Sequence, residues 1–311
     1  MKKLHILMST YNGEKYLCEQ LDSIFAQNCE KNGAAEFKLL IRDDGSSDRT
    51  LNILEKYKKK YPDKVEWYQG ENIGVIRSFF ELIERADKDA DYYALSDQDD
   101  YWLPDKLMRA VSVLDTSDNC NIPFLYCCRP TLTDEKLKKI SSDIDIPKMR
   151  PGFGNALIEN IVTGCTAVFN KKLREMLIKE FPKFTTMHDR WLYLIASCFG
   201  KLYYDEESYI YYRQHGDNAV GKNTKRFAEV KYRIDKMKKD SHGSSRQALE
   251  FWRIFKDELK ESGKKRALIK YFIKGRTSIK VRYRLVKAGV LYRQRSIDNK
   301  IFKVLIVLNI Y

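Results

Sequence analysis

Three carboxylates stand within four positions of the chain, at Asp97, Asp99 and Asp100. They follow directly on the apolar segment 92–95, which the sequence predicts to be a buried strand. Neighbouring carboxylates repel one another and raise each other's pKa values, so such a cluster is costly unless positive charge lies beside it. Mg²⁺ or Mn²⁺ supplies that charge and binds protein carboxylates together with substrate phosphate. A solvated acidic turn is the alternative interpretation.

Polar groups also follow two other predicted strands. Ser-Thr-Tyr-Asn at 9–12 comes after the apolar residues 4–8, and Asp-Asp-Gly at 43–45 comes after residues 37–41. Apolar residues at helical spacing separate these strands, and this alternation predicts an α/β fold with a mostly parallel sheet flanked by helices. Such sheets bind ligands beyond the carboxyl ends of their strands. We therefore expect the three polar groups to meet at one edge of the sheet.

The predicted elements continue through the middle of the chain. Asp48 resembles the N-cap of a helix, and residues 65–68 read as a further strand. Beyond residue 120, the pattern predicts strands at 124–128, 164–170 and 209–213 and helices at 172–181 and 190–199. This part is expected to extend the same domain.

The net charge of +14 is unevenly distributed along the 311 residues. Residues 222–311 hold 26 Lys and Arg against 8 Asp and Glu, whereas residues 1–221 hold 31 against 35. The final part also reads as mostly helical, so we place a boundary at residue 221 and expect a basic helical C-terminal region with a partner of its own.

The composition excludes several classes of protein. The 7 cysteines include no C-x-x-C pair and the 4 histidines lie apart from them, which favours reduced, buried thiols over a zinc site. No signal peptide is visible at the N-terminus. No apolar run approaches the roughly 20 residues that span a bilayer. We expect a cytoplasmic globular protein.

Seven short motifs occur in a specific order and spacing. They are S-T-Y-N-G at 9–13, D-D-G-S-S-D at 43–48, N-I-G-V at 72–75, D-Q-D-D at 97–100, T-G-C-T-A-V-F-N at 163–170, H-D-R-W at 188–191 and Y-R-Q-H-G at 212–216. Together they resemble the family-2 glycosyltransferases of the GT-A fold. The last three are most similar to the rhamnosyltransferase branch, which builds bacterial surface polysaccharides from a dTDP-activated deoxysugar. The resemblance implies a Rossmann-like GT-A domain over 1–221, with a nucleotide-binding half at 1–115 and an acceptor half at 116–221.

A nucleotide-diphosphate sugar, dTDP- or UDP-linked, is the donor that this resemblance implies. The resemblance also implies that Ser9, Tyr11 and Asp44 bind the nucleotide. Tyr11 can stack on a pyrimidine, and the Asp44 carboxylate can accept the N3–H of uracil or thymine. A simple Asx turn at 43–45 and a packing role for Tyr11 are the alternatives.

The acidic run is then expected to bind Mg²⁺ or Mn²⁺ at the diphosphate. Asp99 is the predicted principal ligand, and Asp97 is predicted to bind the metal, the ribose hydroxyls or both. Such an ion neutralises charge on the departing nucleoside diphosphate. Related enzymes often bring a late histidine to the metal, which implies this role for His215; a structural role is the alternative. Arg213 can pair with the diphosphate.

Asp189 is the candidate general base. It stands at the start of a predicted helix, where its carboxylate would face the cleft near the positive helix end. A base takes the proton from the acceptor hydroxyl as that oxygen attacks the anomeric carbon. One displacement with one base inverts the configuration, so dTDP-β-L-rhamnose would give an α-linked product. Capping of the helix is the alternative role for Asp189.

In residues 270–303, apolar side chains are interleaved with Lys and Arg. Basic amphipathic helices of this kind lie in the headgroup region of anionic membranes. This predicts peripheral binding at the inner face of the cell membrane, with a glycan or polyprenyl-diphosphate-linked acceptor. Packing on the catalytic domain, or on a second subunit as in a homodimer, is the alternative. Nucleic acid is not expected as a partner, since no recognised module accompanies the charge.

Two other functions stay open at this level. A nucleotidyltransferase would also place acids at a strand end, but it would normally carry a Gly-rich basic loop after its first strand, and residues 9–13 lack one. A polysaccharide-assembly scaffold could keep the fold without catalysis. The sequence motifs do not specify the sugar, the acceptor or the linkage.

Overall fold

The computed structural model describes residues 1–115, 121–140, 147–215 and 242–311. Gly216 and the boundary predicted at residue 221 lie outside the described residues. The strands are β1 (Lys2–Thr10), β2 (Ala35–Asp43), β3 (Val65–Gln69), β4 (Tyr92–Ser96), β5 (Tyr101–Trp102), β6 (Phe124–Cys128), β7 (Thr131–Thr133), β8 (Val168–Asn170), β9 (Lys201–Asp205) and β10 (Ile210–Arg213). The helices are α1 (Leu17–Phe25), α2 (Thr50–Lys60), α3 (Val75–Arg85), α4 (Lys106–Leu114), α5 (Phe153–Ala156), α6 (Lys171–Leu177), α7 (His188–Phe199), α8 (Gly243–Phe255), α9 (Gly263–Lys274), α10 (Ile279–Ala288) and α11 (Ser296–Val307).

Seven strands form the main sheet, in the order β3-β2-β1-β4-β8-β6-β9. β8 runs antiparallel to both of its neighbours, and the other pairs are parallel. The central β1 is buried from Leu4 to Met8, because helices cover both faces of the sheet. The predicted α/β class with a mostly parallel sheet is confirmed.

Strand register brings the predicted polar groups to one edge. Thr10 at the end of β1 pairs with Asp43 at the end of β2, and Met8 pairs with Ser96 at the end of β4. The three polar segments that follow these strands therefore leave the sheet side by side.

A second, smaller sheet lies beside this edge, with the order β5-β10-β7. β5 immediately follows the acidic run, and Tyr101 in β5 pairs with Tyr211 in β10. This pairing carries Arg213 and His215, far along the chain, to the acidic run.

Several element boundaries differ from the sequence prediction, including the start of α2, where Arg49 and not Asp48 occupies the N-cap position. The predicted strand 164–170 begins as a 3-10 turn at Gly164–Thr166, because the Thr166 hydroxyl donates to the carbonyl oxygen of Thr163 at 2.7 Å. The predicted helix 172–181 ends at Leu177, and the predicted helix 190–199 begins two residues earlier, at His188.

The C-terminal helices share a core with the rest of the chain. The Phe251 ring of α8 meets the Trp191 ring of α7 edge-on at 5.6 Å, and Leu291 and Phe302 belong to the same cluster of buried side chains. The division predicted at residue 221 stays a prediction. Among the described residues, α8 is the longest helix with 13 residues, well short of a bilayer span of roughly 20.

Candidate active site

Gln98 joins the loop after β1 to the acidic run. Its side chain accepts from the Tyr11 N–H at 2.8 Å and donates to the Tyr11 carbonyl at 3.0 Å. Gly13 leaves room for this contact, since a Cβ there would lie 2.3 Å from the Gln98 Oε1. Tyr11 is 49% exposed, which leaves its side chain available for stacking.

Asp44 lies buried between β2 and α3. Its two carboxylate oxygens accept from the backbone N–H groups of Ile73 and Gly74, both at 2.9 Å, and Arg42 forms an ion pair with it. Three donors therefore hold this carboxylate in one orientation. Ser9, the third residue predicted at the nucleotide, shares a hydrogen bond of 2.6 Å with the Ser78 hydroxyl.

The structure brings two predicted metal ligands into contact. The Nε2 atom of His215 lies 2.8 Å from Oδ2 of Asp99, and both side chains are partly accessible. An imidazole nitrogen and a carboxylate oxygen that converge in this way are suitable donors for Mn²⁺ or Mg²⁺.

Asp97 and Asp100 lie deeper in the same loop, grouped with Cys165. Ligand atoms of the three residues lie within 4.8 Å of one another. Burial, followed by the charges of Asp99 and Asp189, raises the pKa of Asp97 to about 7. Burial, followed by the charges of Asp97 and Asp99, raises the pKa of Asp100 well above its usual value. A divalent cation fits this clustered, poorly compensated negative charge.

Cys165 itself is unsuited to bind the cation. Burial and the carboxylates of Asp100 and Asp97 raise the pKa of its thiol well above the ordinary value. The neutral thiol is a weak donor beside those carboxylates and not a nucleophile. The predicted set of Asp97, Asp99 and His215 is therefore chemically better matched to Mg²⁺ or Mn²⁺ than the buried group that includes the cysteine.

A buried lysine lies beneath the acidic run, and the sequence reasoning missed it. Lys106 is fully buried, its Nζ donates no hydrogen bond to another described residue, and it lies 3.4 Å from the centroid of the Trp102 ring. Burial lowers the pKa of Lys106 to about 8, against the attraction of Cys128, Cys165, Asp100 and Asp97. One sequence signal could have indicated Lys106: it stands six positions after Asp100, on the inner side of a helix start.

Arg213 is buried and already engaged. Its Nε donates to the Asp99 carbonyl at 2.8 Å, its backbone N–H donates to Asp100 at 3.2 Å, and its guanidinium pairs with Glu19. These contacts hold the acidic loop against β10. The predicted contact of Arg213 with the donor diphosphate stays a prediction.

Asp189 lies in the first turn of α7, and Met187 occupies the N-cap position of that helix. The alternative role of Asp189 as the N-cap is therefore wrong. Asn160 donates to its Oδ1 at 2.9 Å. Burial raises the pKa of Asp189 to about 6, and the hydrogen bonds from Arg190, Asn160 and Gly164 oppose that shift. The result is a carboxylate that can hold a proton near neutral pH.

His188 beside it is a neutral imidazole. It is buried, it stacks on the Phe79 ring at 4.2 Å between centroids, and burial lowers its pKa to about 3. Neither ring nitrogen has a hydrogen-bond partner among the described side chains and backbone groups. Gly164 packs against it, since a Cβ there would lie 2.8 Å from Nε2. His188 is therefore a buried packing group beside Asp189.

The fold and the site together define a class of protein. A mostly parallel sheet carries an acidic loop at one strand end and the buried Asp44 carboxylate at another, and a further buried carboxylate with a raised pKa, Asp189, lies in the first turn of α7. This is the arrangement of a nucleotide-sugar glycosyltransferase of the GT-A fold.

The chain belongs to glycosyltransferase family 2, since the model "Glycosyl transferase family 2" matches residues 5–178. It is 32% identical over 231 residues to the dTDP-rhamnosyl transferase RfbG of Shigella flexneri, covering 70% of this chain and 74% of that one. It is 26% identical over 223 residues to an uncharacterised glycosyltransferase of Nostoc, covering 70% of this chain and 66% of the other.

Solved structures support the fold. The crystal structure of Staphylococcus aureus TarS 1–349 with UDP-GlcNAc superposes with a TM-score of 0.58 at 17% identity, covering 99% of this chain and 91% of that one. The mannosyltransferase PcManGT of Pyrobaculum calidifontis, in complex with GDP-Man and Mn²⁺, gives a TM-score of 0.54 at 17% identity, covering 99% and 80%. The predicted GT-A glycosyltransferase fold and enzyme class are confirmed.

Proposed function

We propose that this glycosyltransferase transfers L-rhamnose, with inversion, from dTDP-β-L-rhamnose to a hydroxyl of a lipid-linked or polysaccharide acceptor in cell-surface polysaccharide synthesis. The observation that carries the mechanism is the Asp189 carboxylate, buried, oriented by Asn160, and with its pKa raised to about 6. The similarity to RfbG supports the choice of donor. Family membership favours sugar transfer over the nucleotidyl transfer and scaffold alternatives.

The transfer is a single displacement. The acceptor oxygen attacks the anomeric carbon while the bond from that carbon to the β-phosphate oxygen breaks, and dTDP leaves with the electron pair. Asp189 accepts the proton from the acceptor hydroxyl. Because one carboxylate acts from one side of the sugar, the β-linked donor gives an α-linked product.

Asp99, His215 and Asp97 are the residues that would hold Mg²⁺ or Mn²⁺. A bound divalent cation supplies Lewis-acid neutralisation of the charge that develops on the leaving diphosphate. The contact between Asp99 and His215 supports this assignment, and so does the clustering of negative charge at Asp97 and Asp100. Lys106 lies behind the loop and compensates part of that charge.

The nucleotide is proposed to bind between Tyr11 and Asp44. Tyr11 stacks on the thymine, and Asp44 accepts its N3–H. Arg42 supports this role because its ion pair positions the Asp44 carboxylate, whose oxygens can accept a hydrogen bond from a base that donates at N3. Ser9 is proposed to contact the nucleotide, and Arg213 is proposed to act on the diphosphate chiefly by positioning the acidic loop.

The enzyme is proposed to work at the cytoplasmic face of the membrane. Exposed basic and apolar side chains of the C-terminal helices support peripheral association with anionic lipid. That location places the active site near a polyprenyl-diphosphate-linked acceptor.

A donor screen tests the proposed function. Calorimetry with Mn²⁺ should show binding of dTDP-β-L-rhamnose, and release of dTDP should require an acceptor from a panel of lipid-linked and free glycosides. Preferred binding and turnover of UDP-GlcNAc or GDP-mannose would overturn the rhamnose assignment while leaving the glycosyltransferase class intact.

A further inference from the structure

A pocket of about 260 Å³ opens between α9 and α10, on the side of the molecule formed by the C-terminal helices. Its wall is apolar, made by Leu268, Tyr271, Leu285, Ala288 and Val290. The volume lies just below the roughly 300–1,000 Å³ of sites for drug-sized ligands, so the pocket suits one end of a hydrocarbon chain.

Two cations line the same pocket. Lys264 and Arg284 are both exposed, and neither forms an ion pair with another described residue. The surrounding chain is uniformly basic, because residues 263–295 contain twelve Lys and Arg and no Asp or Glu. The charge at the entrance therefore complements an anion, while the interior complements a hydrocarbon.

The surface around the pocket is apolar as well as basic. Eight of the fourteen large apolar side chains that are exposed in the described part of the chain lie between Tyr271 and Leu308. Ile279 and Tyr283, at i and i+4 on α10, are 64% and 65% exposed. Helices with this combination bind at the interface of anionic membranes.

We propose that this pocket binds the hydrocarbon chain of a single anionic lipid, with Lys264 and Arg284 holding its phosphate. The inference rests on the proposed membrane association of the C-terminal helices, and it is independent of the sugar that the enzyme transfers. It assigns to the chain a second binding site, separate from the donor cleft.

The pocket is linked to the acceptor side of that cleft by residues 153–160. Gly154 in α5 packs against the pocket wall, with its ideal Cβ position 1.9 Å from the Val290 oxygen and 3.8 Å from Leu268. Asn155 donates to the Tyr292 carbonyl at 2.9 Å. Asn160, a few residues further on, orients Asp189. A lipid in the pocket would therefore lie against a segment that continues to Asn160, the residue that contacts Asp189.

The test uses the full chain and three soluble probes. Dodecyl phosphate carries the proposed head and chain, inorganic phosphate carries the head alone, and dodecyl maltoside carries the chain with a neutral head. Calorimetry below the micellar concentration should show saturable one-to-one binding of dodecyl phosphate, and much weaker binding of the other two. Equal binding of inorganic phosphate would overturn the proposal in favour of a simple anion site.

Two alanines provide a matched pair of variants. Ala288→Trp fills the pocket without changing charge, and it should weaken dodecyl phosphate binding by about tenfold, or about 1.4 kcal/mol. Ala267→Trp places the same side chain at an exposed position of α9 outside the pocket, and it should bind as the wild type does. Unchanged affinity of a folded Ala288→Trp protein would contradict the proposal.

A membrane arm distinguishes lipid from protein as the occupant. Ala288→Trp and the double change Lys264→Glu with Arg284→Glu should sediment less with vesicles of equal phosphatidylglycerol and phosphatidylcholine than the wild type. If the wild type instead self-associates in light scattering and Ala288→Trp abolishes that association, a second copy occupies the pocket and the lipid proposal is wrong. Donor binding at the cleft should be the same in all variants, so failure here is distinguishable from failure of the proposed function.

Discussion

His215 Nε2 lies 2.8 Å from Oδ2 of Asp99, although 116 positions separate the two residues in the chain. The contact exists because β10 pairs with β5, the strand that directly follows the acidic run. This pairing brings the segment that contains His215 back to the acidic run. The fold of the chain therefore brings together two ligand atoms that can bind the same cation.

Replacing His215 tests whether this pair binds metal. His215→Ala should weaken Mn²⁺-dependent binding of dTDP by about tenfold, equivalent to about 1.4 kcal/mol, because one ligand is lost. Binding without metal should change little. His242→Asn is the control, since it alters a histidine outside the site and asparagine tolerates the left-handed backbone there. Equal metal-dependent affinities in calorimetry would remove His215 from the site.

Lys106→Met tests the cost of the buried cation. A lysine whose pKa is lowered from 10.5 to about 8 destabilises the fold while it is charged. The penalty is present at pH 7 and disappears above about pH 10.5, where the amine is neutral in both states. The variant should therefore be more stable at pH 7, by about 2 kcal/mol, and lose that advantage in strong alkali.

Urea unfolding at several pH values checks this prediction. Lys60→Met removes an exposed lysine that also lies over aromatic rings, and it should leave the free energy of unfolding nearly unchanged. A Lys106→Met protein that is less stable than the wild type at pH 7 would show that the contacts of the amine outweigh its burial.

Asn160→Ala tests the positioning of the base. Asn160 donates to the ionised Asp189 carboxylate, so its removal disfavours the charged form and raises the pKa of Asp189 further above about 6. The acidic limb of the kcat/KM profile should move to higher pH, by about one unit at most. Asn52→Ala, an exposed change in α2, should keep the wild-type profile. A lower activity with an unmoved profile would assign Asn160 a purely structural role.

Gly154→Ala tests the packing of the C-terminal helices on the catalytic part. A Cβ at Gly154 would lie 1.9 Å from the carbonyl oxygen of Val290, so the backbone of one segment must move. We expect a loss of about 1–3 kcal/mol in unfolding free energy and faster hydrogen exchange at residues 290–294.

Gly263→Ala is the matched control. Gly263 begins α9, and no atom lies within 4 Å of its ideal Cβ position, so alanine should be neutral or slightly stabilising there. Equal stability of the two variants would mean that the contact between Gly154 and Val290 is readily relaxed.

The sequence predicted much of the site because local patterns determine strand ends. The groups at Ser9, Asp44 and Asp97 follow apolar strands, and parallel register brings such ends together. Proximity of Asp99 and His215 followed from resemblance to related enzymes, and Asp189 followed from its place at a helix start. Each of these residues lies on, or directly after, a strand or helix that the pattern of apolar residues already predicts.

Other features depend on tertiary packing that no local pattern encodes. The burial of Lys106 follows from how α4 lies under the acidic loop, and a lysine at a helix start is ordinarily exposed. Arg213 pairs with Glu19, which lies 194 positions away in the chain. This ion pair engages the guanidinium that the sequence pattern alone would assign to phosphate. The pocket between α9 and α10 likewise exists only because of the way two basic helices pack.

The central claim is that Asp189 removes the proton from the acceptor in an inverting transfer. Asp189→Asn keeps the shape of the side chain, and it should be at least as stable as the wild type at pH 7. The reason is that the folded-state pKa of Asp189, about 6, lies above the ordinary 3.8. Ionisation of Asp189 therefore lowers the stability of the folded protein as the pH rises through that range, and asparagine does not ionise.

The most direct measurement is turnover of dTDP-β-L-rhamnose with Mn²⁺ and acceptor by the wild type and by Asp189→Asn, with the anomeric configuration of the product read by NMR. We predict an α-linked rhamnoside from the wild type. The variant should bind the donor equally well and transfer it 10²–10⁴-fold more slowly, the usual contribution of a general base. A β-linked product, or near-normal turnover by Asp189→Asn, would contradict the account.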